Sequence, residues 1–122
     1  MRELTLETKE ALRVMGEYLE KLIPGMEVLI TELRGNRKAD TDTFLKNCTD
    51  SFNWMVEIYN LTSDVINEGK ERIKKEEINP GIIALGDALK EKNDGKTADA
   101  LESRIIPFLK QLKDAVNEIQ NQ

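Results

Sequence analysis

Residues Thr5 to Leu33 read TLETKEALRVMGEYLEKLIPGMEVLITEL. Apolar side chains recur along this stretch at steps of three and four residues, which is the spacing of one face of an α-helix. The pattern predicts a long amphipathic helix from about Thr5 to Leu33, followed by Gly35 in the position of a C-terminal cap. Its apolar stripe consists of Leu4, Ala11, Met15, Tyr18, Leu19, Leu22, Met26, Leu29 and Leu33.

A second helix is predicted from about Thr41 to Lys74, after a short polar connection that makes the first two helices an antiparallel hairpin. Gly69 weakens the pattern near its end, so the helix could instead stop at Glu68 and leave a loop to Ile78. We favour continuation to Lys74. The inward seam consists of Leu45, Cys48, Phe52, Met55, Tyr59, Thr62, Ile66 and Ile73.

A third helix is predicted to start with Asn79 as N-cap and Pro80 in the first helical position, where a missing N–H is no loss. Its large apolar residues are few and its small ones several, so we expect it to lie close to its neighbours or to be the least stable helix. A tight Asn-Asp-Gly turn starting at Asn93 leads into a fourth helix from about Thr97 to Ile119. The inward residues of this helix are Leu101, Ile105, Phe108, Leu112, Val116 and Ile119.

The composition agrees with an all-helical fold. Charged residues make up 34% of the chain and aromatic residues only 5%, a mixture typical of helices built from Leu, Ile, Lys and Glu. A chain of 122 residues is long enough for one hydrophobic core. We therefore predict an all-α, antiparallel four-helix bundle that forms a single domain over residues 1–122.

Two of the prolines, Pro24 and Pro107, fall inside predicted helices. On a helical wheel Pro24 lies about 180° and Pro107 about 140° from the centre of its apolar stripe, so both face outward. An outward proline removes one backbone hydrogen bond and bends the helix around the core. We expect the first and fourth helices to be kinked at these residues; alternatively, each proline ends one helix and begins another.

The stretch ALESRIIPFL, Ala100–Leu109, resembles the final helix of short, acidic, all-helical bacterial proteins of an uncharacterised family, in which a leucine-rich helix contains an L/I-I-P-x-L core. This resemblance covers about a quarter of the chain. It implies a cytoplasmic helical fold and no known enzymatic motif. In size and acidity the chain also resembles flagellar export chaperones, although none of their motif residues are found in it.

The second helix is apolar over an unusually wide arc. Outside its inward seam it carries a second apolar stripe, which widens the apolar sector to about 200° where a one-sided helix needs little more than about 100°. Either this helix is central and touches three neighbours, or the second stripe is exposed and binds another copy or a partner helix. The stripe consists of Trp54, Ile58, Leu61 and Val65. Trp54 favours an interface, because tryptophan is enriched in binding hot spots.

Charge and cysteine content narrow the range of partners and locations. The net charge of -5 would repel a phosphate backbone, and the basic residues of the stretch 70–75 are interleaved with Glu71 and followed by Glu76 and Glu77, so we expect no nucleic-acid binding. The lone Cys48 cannot form an internal disulfide, and residues 1–12 do not resemble a secretion leader, which favours the cytoplasm. No apolar run approaches the roughly 20 residues of a membrane span.

The chain contains no histidine, which excludes His-containing di-iron sites, histidine phosphotransfer and Ser-His or Cys-His catalysis. Cys48 lies on the inward seam and is interpreted as a buried thiol. Carboxylates could still bind Mg²⁺, as in all-helical nucleotide pyrophosphohydrolases, and Glu17 and Glu20 provide one Glu-x-x-Glu spacing. The second half of that motif is absent, since Glu57 is followed three residues later by Asn60.

The sequence therefore predicts a non-enzymatic protein-interaction module, with no catalytic residue, metal or cofactor. It would act as a homodimer, an adaptor or a chaperone-like binder of a helical segment. Trp54, Ile58, Leu61 and Val65 are its predicted contact residues. The alternative is a Mg²⁺-dependent enzyme of the nucleotide pyrophosphohydrolase kind.

Overall fold

The first helix, α1, spans Leu6–Leu33 without interruption. Thr5 caps it, since the Thr5 side chain accepts a hydrogen bond from the backbone N–H of Thr8. Pro24 lies inside α1 and is exposed, so the predicted helix is confirmed and a division into two helices at Pro24 is wrong. The structure, a computed structural model, describes residues 5–121, with the side chains at positions 75 and 77 excepted. Leu4, expected on the apolar stripe, lies outside the described residues.

The second helix, α2, spans Thr41–Ile66 and is shorter than predicted. The side-chain oxygen of Asn67 accepts hydrogen bonds from the backbone N–H groups of Arg72 and Ile73, which folds the chain into a loop directly after α2. Gly69 adopts a left-handed conformation with φ +73° inside this loop. The expected continuation to Lys74 is therefore wrong, and the loop alternative is closer to the structure.

The third helix, α3, spans Lys75–Lys90. Pro80 lies inside α3, so the prediction that Asn79 and Pro80 begin this helix is wrong. Burial explains the earlier start, because Ile78 becomes buried on the first turn of α3. A helix that started at Pro80 would leave Ile78 in a connecting loop, without a helical face to hold it against the core.

The fourth helix, α4, consists of three consecutive segments, Asp94–Ala100, a π-helical segment Leu101–Ile105, and Ile106–Gln120. Asn93 caps α4 by accepting a hydrogen bond from the backbone N–H of Lys96. The predicted tight turn is therefore wrong, since two of its three residues belong to the helix. The connection from α3 runs through Glu91 to Asn93, with Lys92 at φ +52°.

The π-helical segment ends just before Pro107. Within it, the backbone N–H of Ile106 bonds to the carbonyl of Leu101, five residues earlier. Proline has no N–H to donate, so one helical hydrogen bond is missing at Pro107. The wider π turn places this missing bond where the hydrogen-bonding register of the helix changes. Pro107 is exposed, as predicted, and does not divide α4 into separate helices. The bends expected at Pro24 and Pro107 stay predictions.

The helices pack as an all-α, four-helix bundle, as predicted, and residues 5–121 contain no strand. α1 packs against both α2 and α4, whereas α2 touches α4 only lightly. α1 and α4 are antiparallel: a Cβ added at Gly16 would lie 3.5 Å from Val116 Cγ1, while Arg34 at the end of α1 bonds to Asp99. α3 packs on the first half of α4.

Close helix contact and aromatic packing define the core. A Cβ at the buried Gly81 would come within 3.2 Å of Arg104 Cβ, so the predicted close approach of α3 to its neighbour is confirmed there. The ring of Phe108 in α4 makes edge contacts with two rings of α2, Phe52 and Tyr59, at centroid distances of 6.4 and 5.6 Å. Cys48 is buried, as expected.

Candidate interaction surface

The four residues predicted to contact a partner lie on one side of α2 and differ in exposure. Leu61 is 85% exposed and Trp54 is 39% exposed. Ile58 and Val65 are partly buried and pack against the core. We call Trp54, Ile58, Leu61 and Val65 the α2 stripe; its middle and its N-terminal end are accessible to a partner.

Tyr18 of α1 extends this surface across the groove between the two helices. Its ring meets Trp54 edge to face, with the ring centroids 5.1 Å apart. The Tyr18 hydroxyl lies 2.6 Å from the Ser51 hydroxyl, within hydrogen-bond distance. These two contacts hold both aromatic side chains against the bundle while a third of each stays exposed. Such a fixed, partly exposed aromatic pair loses little conformational entropy when it is buried by a partner.

The position of α2 in the bundle explains why its second stripe is uncovered. The wide apolar arc left two alternatives, a central α2 or an exposed stripe. α2 packs chiefly against α1 and touches α4 only lightly, so α2 is not the central helix. α2 therefore has one main neighbour, so that its inward seam is buried and the outer part of its apolar arc is not.

Acidic residues of α2 border the stripe on the side away from α1. Glu57 and Asp64 are exposed, and at about 100° per residue they fall next to the stripe on the helix surface. In the part of the chain that the structure describes, neither carboxylate makes an ion pair or hydrogen bond. Asp50 lies on the same border, but it is paired with Lys46 at 2.9 Å.

Acidic residues also border the surface along α1. Glu10 and Glu17 both bind the guanidinium group of Arg13, which lies 2.7 Å from Glu17 and still closer to Glu10. The hydrogen bond from Arg13 lowers the pKa of the Glu10 carboxyl below its ordinary value. Glu7 and Lys21 also lie on this border. Within residues 5–121, Arg13 forms ion pairs with Glu10 and Glu17, whereas Lys21 forms none. We call the carboxylates of the two borders the acidic rim; they are Glu7, Glu10, Glu17, Asp50, Glu57 and Asp64.

The carboxylates considered for Mg²⁺ are solvent-exposed. Glu17 is engaged by Arg13, and Glu20 is exposed on the outer side of α1, as the sequence pattern indicated. No group of three or more Asp, Glu, Cys or His side chains among the described residues is placed to hold a metal ion. The buried Cys48 thiol has its pKa raised to about 11, chiefly by burial and also by the negative charge of Glu32.

Other concave parts of the described surface are open to solvent. A hollow of about 350 Å³ between α3 and α4 is lined by Lys74, Pro80, Arg104, Pro107 and neighbouring residues. A second, of about 510 Å³, lies where the Arg37–Asp94 ion pair joins the end of α1 to the start of α4. Of the helices that the structure describes, none is both long and apolar enough to cross a membrane.

Sequence analysis missed two parts of this surface. Tyr18 was placed on the inward stripe of α1, and its position at the boundary depends on Trp54 and Ser51, which lie more than 30 residues away along the chain. The acidic rim could have been found, because Glu57 and Asp64 stand next to stripe residues on the helical wheel. Asn53 and Asn60 lie farther round the helix and belong to its polar arc.

Residues 10–115 match a protein-family model described as Domain of unknown function (DUF8042). The match covers most of the chain, including the stretch Ala100–Leu109 on which the resemblance to an uncharacterised family was based. No curated protein and no solved structure matches the chain significantly.

Proposed function

The chain belongs to the DUF8042 family, whose description assigns no activity, and we propose that it functions as a non-enzymatic bundle that binds another protein through the α2 stripe. The observation that carries the proposal is the exposure of Leu61, at 85%, beside a partly exposed Trp54. An isolated exposed leucine is ordinary, but a leucine aligned with tryptophan and two further apolar residues forms a continuous patch.

The chemistry of the patch supports protein binding. Trp54 and Tyr18 bring large, rigid rings with polar tips, the side chains most enriched in binding hot spots. Polar and charged residues surround the patch, as is usual for the rim of an interface. Cys48 is buried with its pKa raised, which disfavours the reactive thiolate.

The proposal includes a homodimer, an adaptor and a chaperone-like binder of a helical segment. A bacterial origin is part of it, supported by the resemblance carried by Ala100–Leu109. A cytoplasmic location is also part of it, supported by a single cysteine that is buried as a free thiol.

Solution mass and partner recovery for three proteins test the proposal: the natural chain, Leu61→Glu and Ile83→Glu. Ile83 lies on α3 and is 62% exposed, so it provides a matched control away from the α2 stripe. Both variants should fold, because a substitution at an exposed site changes the unfolding free energy by about 0.5 kcal/mol or less. We expect Leu61→Glu to lose self-association or the recovered partner, and Ile83→Glu to keep both.

Two results would contradict the proposal. If Leu61→Glu stays folded with unchanged mass and unchanged partner recovery, the α2 stripe is not the contact surface. If Leu61→Glu fails to fold while Ile83→Glu folds, Leu61 contributes to the core instead.

A further inference from the structure

The shape of the α2 stripe fits a helical partner. Its residues follow one another at steps of four, three and four, so they form a band along the axis of α2. From Trp54 to Val65 this band is about 16 Å long, at about 1.5 Å per residue. A partner helix of about three turns would cover it, with its own apolar face against the band. Residues 5–121 contain no strand edge onto which an extended peptide could add.

The charge along the band is the second observation. On the α2 side, Glu57 and Asp64 are separated by seven residues, two helical turns, and flank Leu61 from both directions. Their carboxylates make no ion pair or hydrogen bond within the described residues, so their charge is directed only at solvent. The other acid on this side, Asp50, is already neutralised by Lys46.

The α1 side of the rim is also acidic overall. Arg13 carries one positive charge and is shared between two carboxylates, Glu10 and Glu17. One negative charge of that trio therefore has no counterpart, and Glu7 adds another. Lys21 offsets one of these charges. The apolar band thus runs between two borders, of which the α2 border is the more strongly negative.

We propose that the α2 stripe binds a basic amphipathic helix, with lysines or arginines on both sides of its apolar face. The inference rests on the proposed function and specifies its partner. A second copy of this chain fits less well: a two-fold interface sets a patch against itself, so the unpaired Glu57 and Asp64 would approach the acidic rim of the other copy. Opposed like charges disfavour such a two-fold interface. Cations on a partner helix, opposite both borders, favour its binding and steer the encounter.

Three synthetic helical peptides test the proposal on the full chain. They share one apolar face of about three turns and differ only in their flanking residues, which are Lys, Gln or Glu. We expect the Lys peptide to bind about tenfold more tightly than the Gln peptide, and the Glu peptide to bind most weakly, since a few exposed ion pairs together provide an effect of this size. The advantage of the Lys peptide should shrink as salt rises from about 0.05 M to about 0.5 M, because salt screens exposed charges.

A matched pair of charge-reversal variants locates the effect. The double variant Glu57→Lys/Asp64→Lys should weaken binding of the Lys peptide about tenfold. The control, Glu20→Lys/Glu27→Lys, makes the same change in net charge on exposed residues of α1 that point away from the stripe, and it should leave the affinity within about twofold.

The outcomes separate the two proposals. Equal affinity for the Lys and Gln peptides, or equal effects of the two double variants, would overturn the basic partner and leave protein binding intact. If the chain forms a dimer that Leu61→Ser dissociates, the α2 stripe binds a second copy, and the proposal of a basic partner is overturned as well. If none of the three peptides binds and the chain is monomeric, both the basic partner and a helix-binding stripe are contradicted.

Discussion

Tyr59 carries a buried polar group that is poorly satisfied. Its side chain is fully buried, and its hydroxyl makes no hydrogen bond of normal geometry within the described residues. Burial raises the pKa of this phenol, as expected where the charged form would lack solvent, although the Asn67 side chain lies close enough to lower this pKa in part. A buried hydroxyl without a partner loses its hydration and gains nothing in return.

We therefore expect Tyr59→Phe to raise the free energy of unfolding by about 0.5–1 kcal/mol. Tyr18→Phe is the matched control: it removes a hydroxyl that lies within hydrogen-bond distance of Ser51, and should lower the free energy by about 0.5–1 kcal/mol. Urea unfolding of both variants measures whether each free energy of unfolding rises or falls. A loss of stability in Tyr59→Phe would mean that its hydroxyl is hydrogen-bonded.

The Cys48 thiol should be inert in the folded protein. Its side chain is buried and its pKa is raised to about 11, so the reactive thiolate is scarce at neutral pH. We expect a thiol reagent to label Cys48 slowly in the native chain and rapidly in urea. Equally fast labelling in both conditions would contradict the burial of this residue.

Among the connections between helices, the loop between α2 and α3 is joined to its neighbours by an arginine. Arg72 Nη1 donates a hydrogen bond to the carbonyl oxygen of Ile66 at 2.8 Å, and Arg72 Nη2 lies 3.4 Å from Glu118 near the end of α4. The Arg72 side chain is only 9% exposed. The hydrogen bond from Arg72 lowers the pKa of the Glu118 carboxyl. This guanidinium group therefore links the end of α2 to α4.

Arg72→Met should lower the free energy of unfolding by about 2 kcal/mol, because a partly buried carbonyl and a carboxylate lose a charged donor. Lys70 contacts the same Glu118 at 3.7 Å but is largely exposed, so Lys70→Met should change the free energy of unfolding by about 0.5 kcal/mol or less. Hydrogen exchange at the backbone amides of residues 67–74 should accelerate in Arg72→Met alone. Equal effects of the two variants would contradict the role of Arg72.

The same loop shows what the sequence could and could not predict. The periodic stripes of α1, α2 and α4 identify these helices because burial of a regular face dominates their stability. The end of α2 depends on Asn67, Arg72 and Glu118, and Glu118 is distant along the chain, so the local pattern could not locate it. For α3, the Asn79–Pro80 pair is a sound local start signal, but burial of Ile78 outweighs it.

The candidate site was predictable to a similar degree. The four residues of the α2 stripe follow from the width of its apolar arc. Which of them are exposed depends on α2 having one main neighbour, and the helical wheel of α2 contains no information about that. The contact between Tyr18 and Trp54 likewise depends on the way two helices pack.

At the scale of the whole molecule, an ion pair joins the start of α4 to the connection after α1. Arg37 Nη2 donates a hydrogen bond to Asp94 Oδ1 at 3.0 Å and lowers the pKa of this carboxyl below its ordinary value of 3.8. When the pH falls below that value, the unfolded chain binds a proton that the folded chain still excludes. The stabilisation is therefore complete above the ordinary value and lost as the pH falls through the folded-state pKa.

Asp94→Asn removes this titrating group. We expect the variant to be less stable than the natural chain at pH 7 and to lose less stability on acidification, so that the difference between the two shrinks below about pH 4. Urea unfolding at several pH values measures it. A constant difference from pH 7 to the acid limit would show that Asp94 does not contribute through its charge.

The partner helix is expected to lie on the α2 stripe. Trp54 is the only tryptophan of the chain, so its fluorescence reports on this surface alone. The most direct measurement is the Trp54 emission maximum during a titration with the lysine-flanked amphipathic peptide. We expect a saturable shift to shorter wavelength, lost in Leu61→Ser and kept in Ile83→Ser. Unchanged emission at a peptide concentration where calorimetry detects binding would place the partner elsewhere and contradict this expectation.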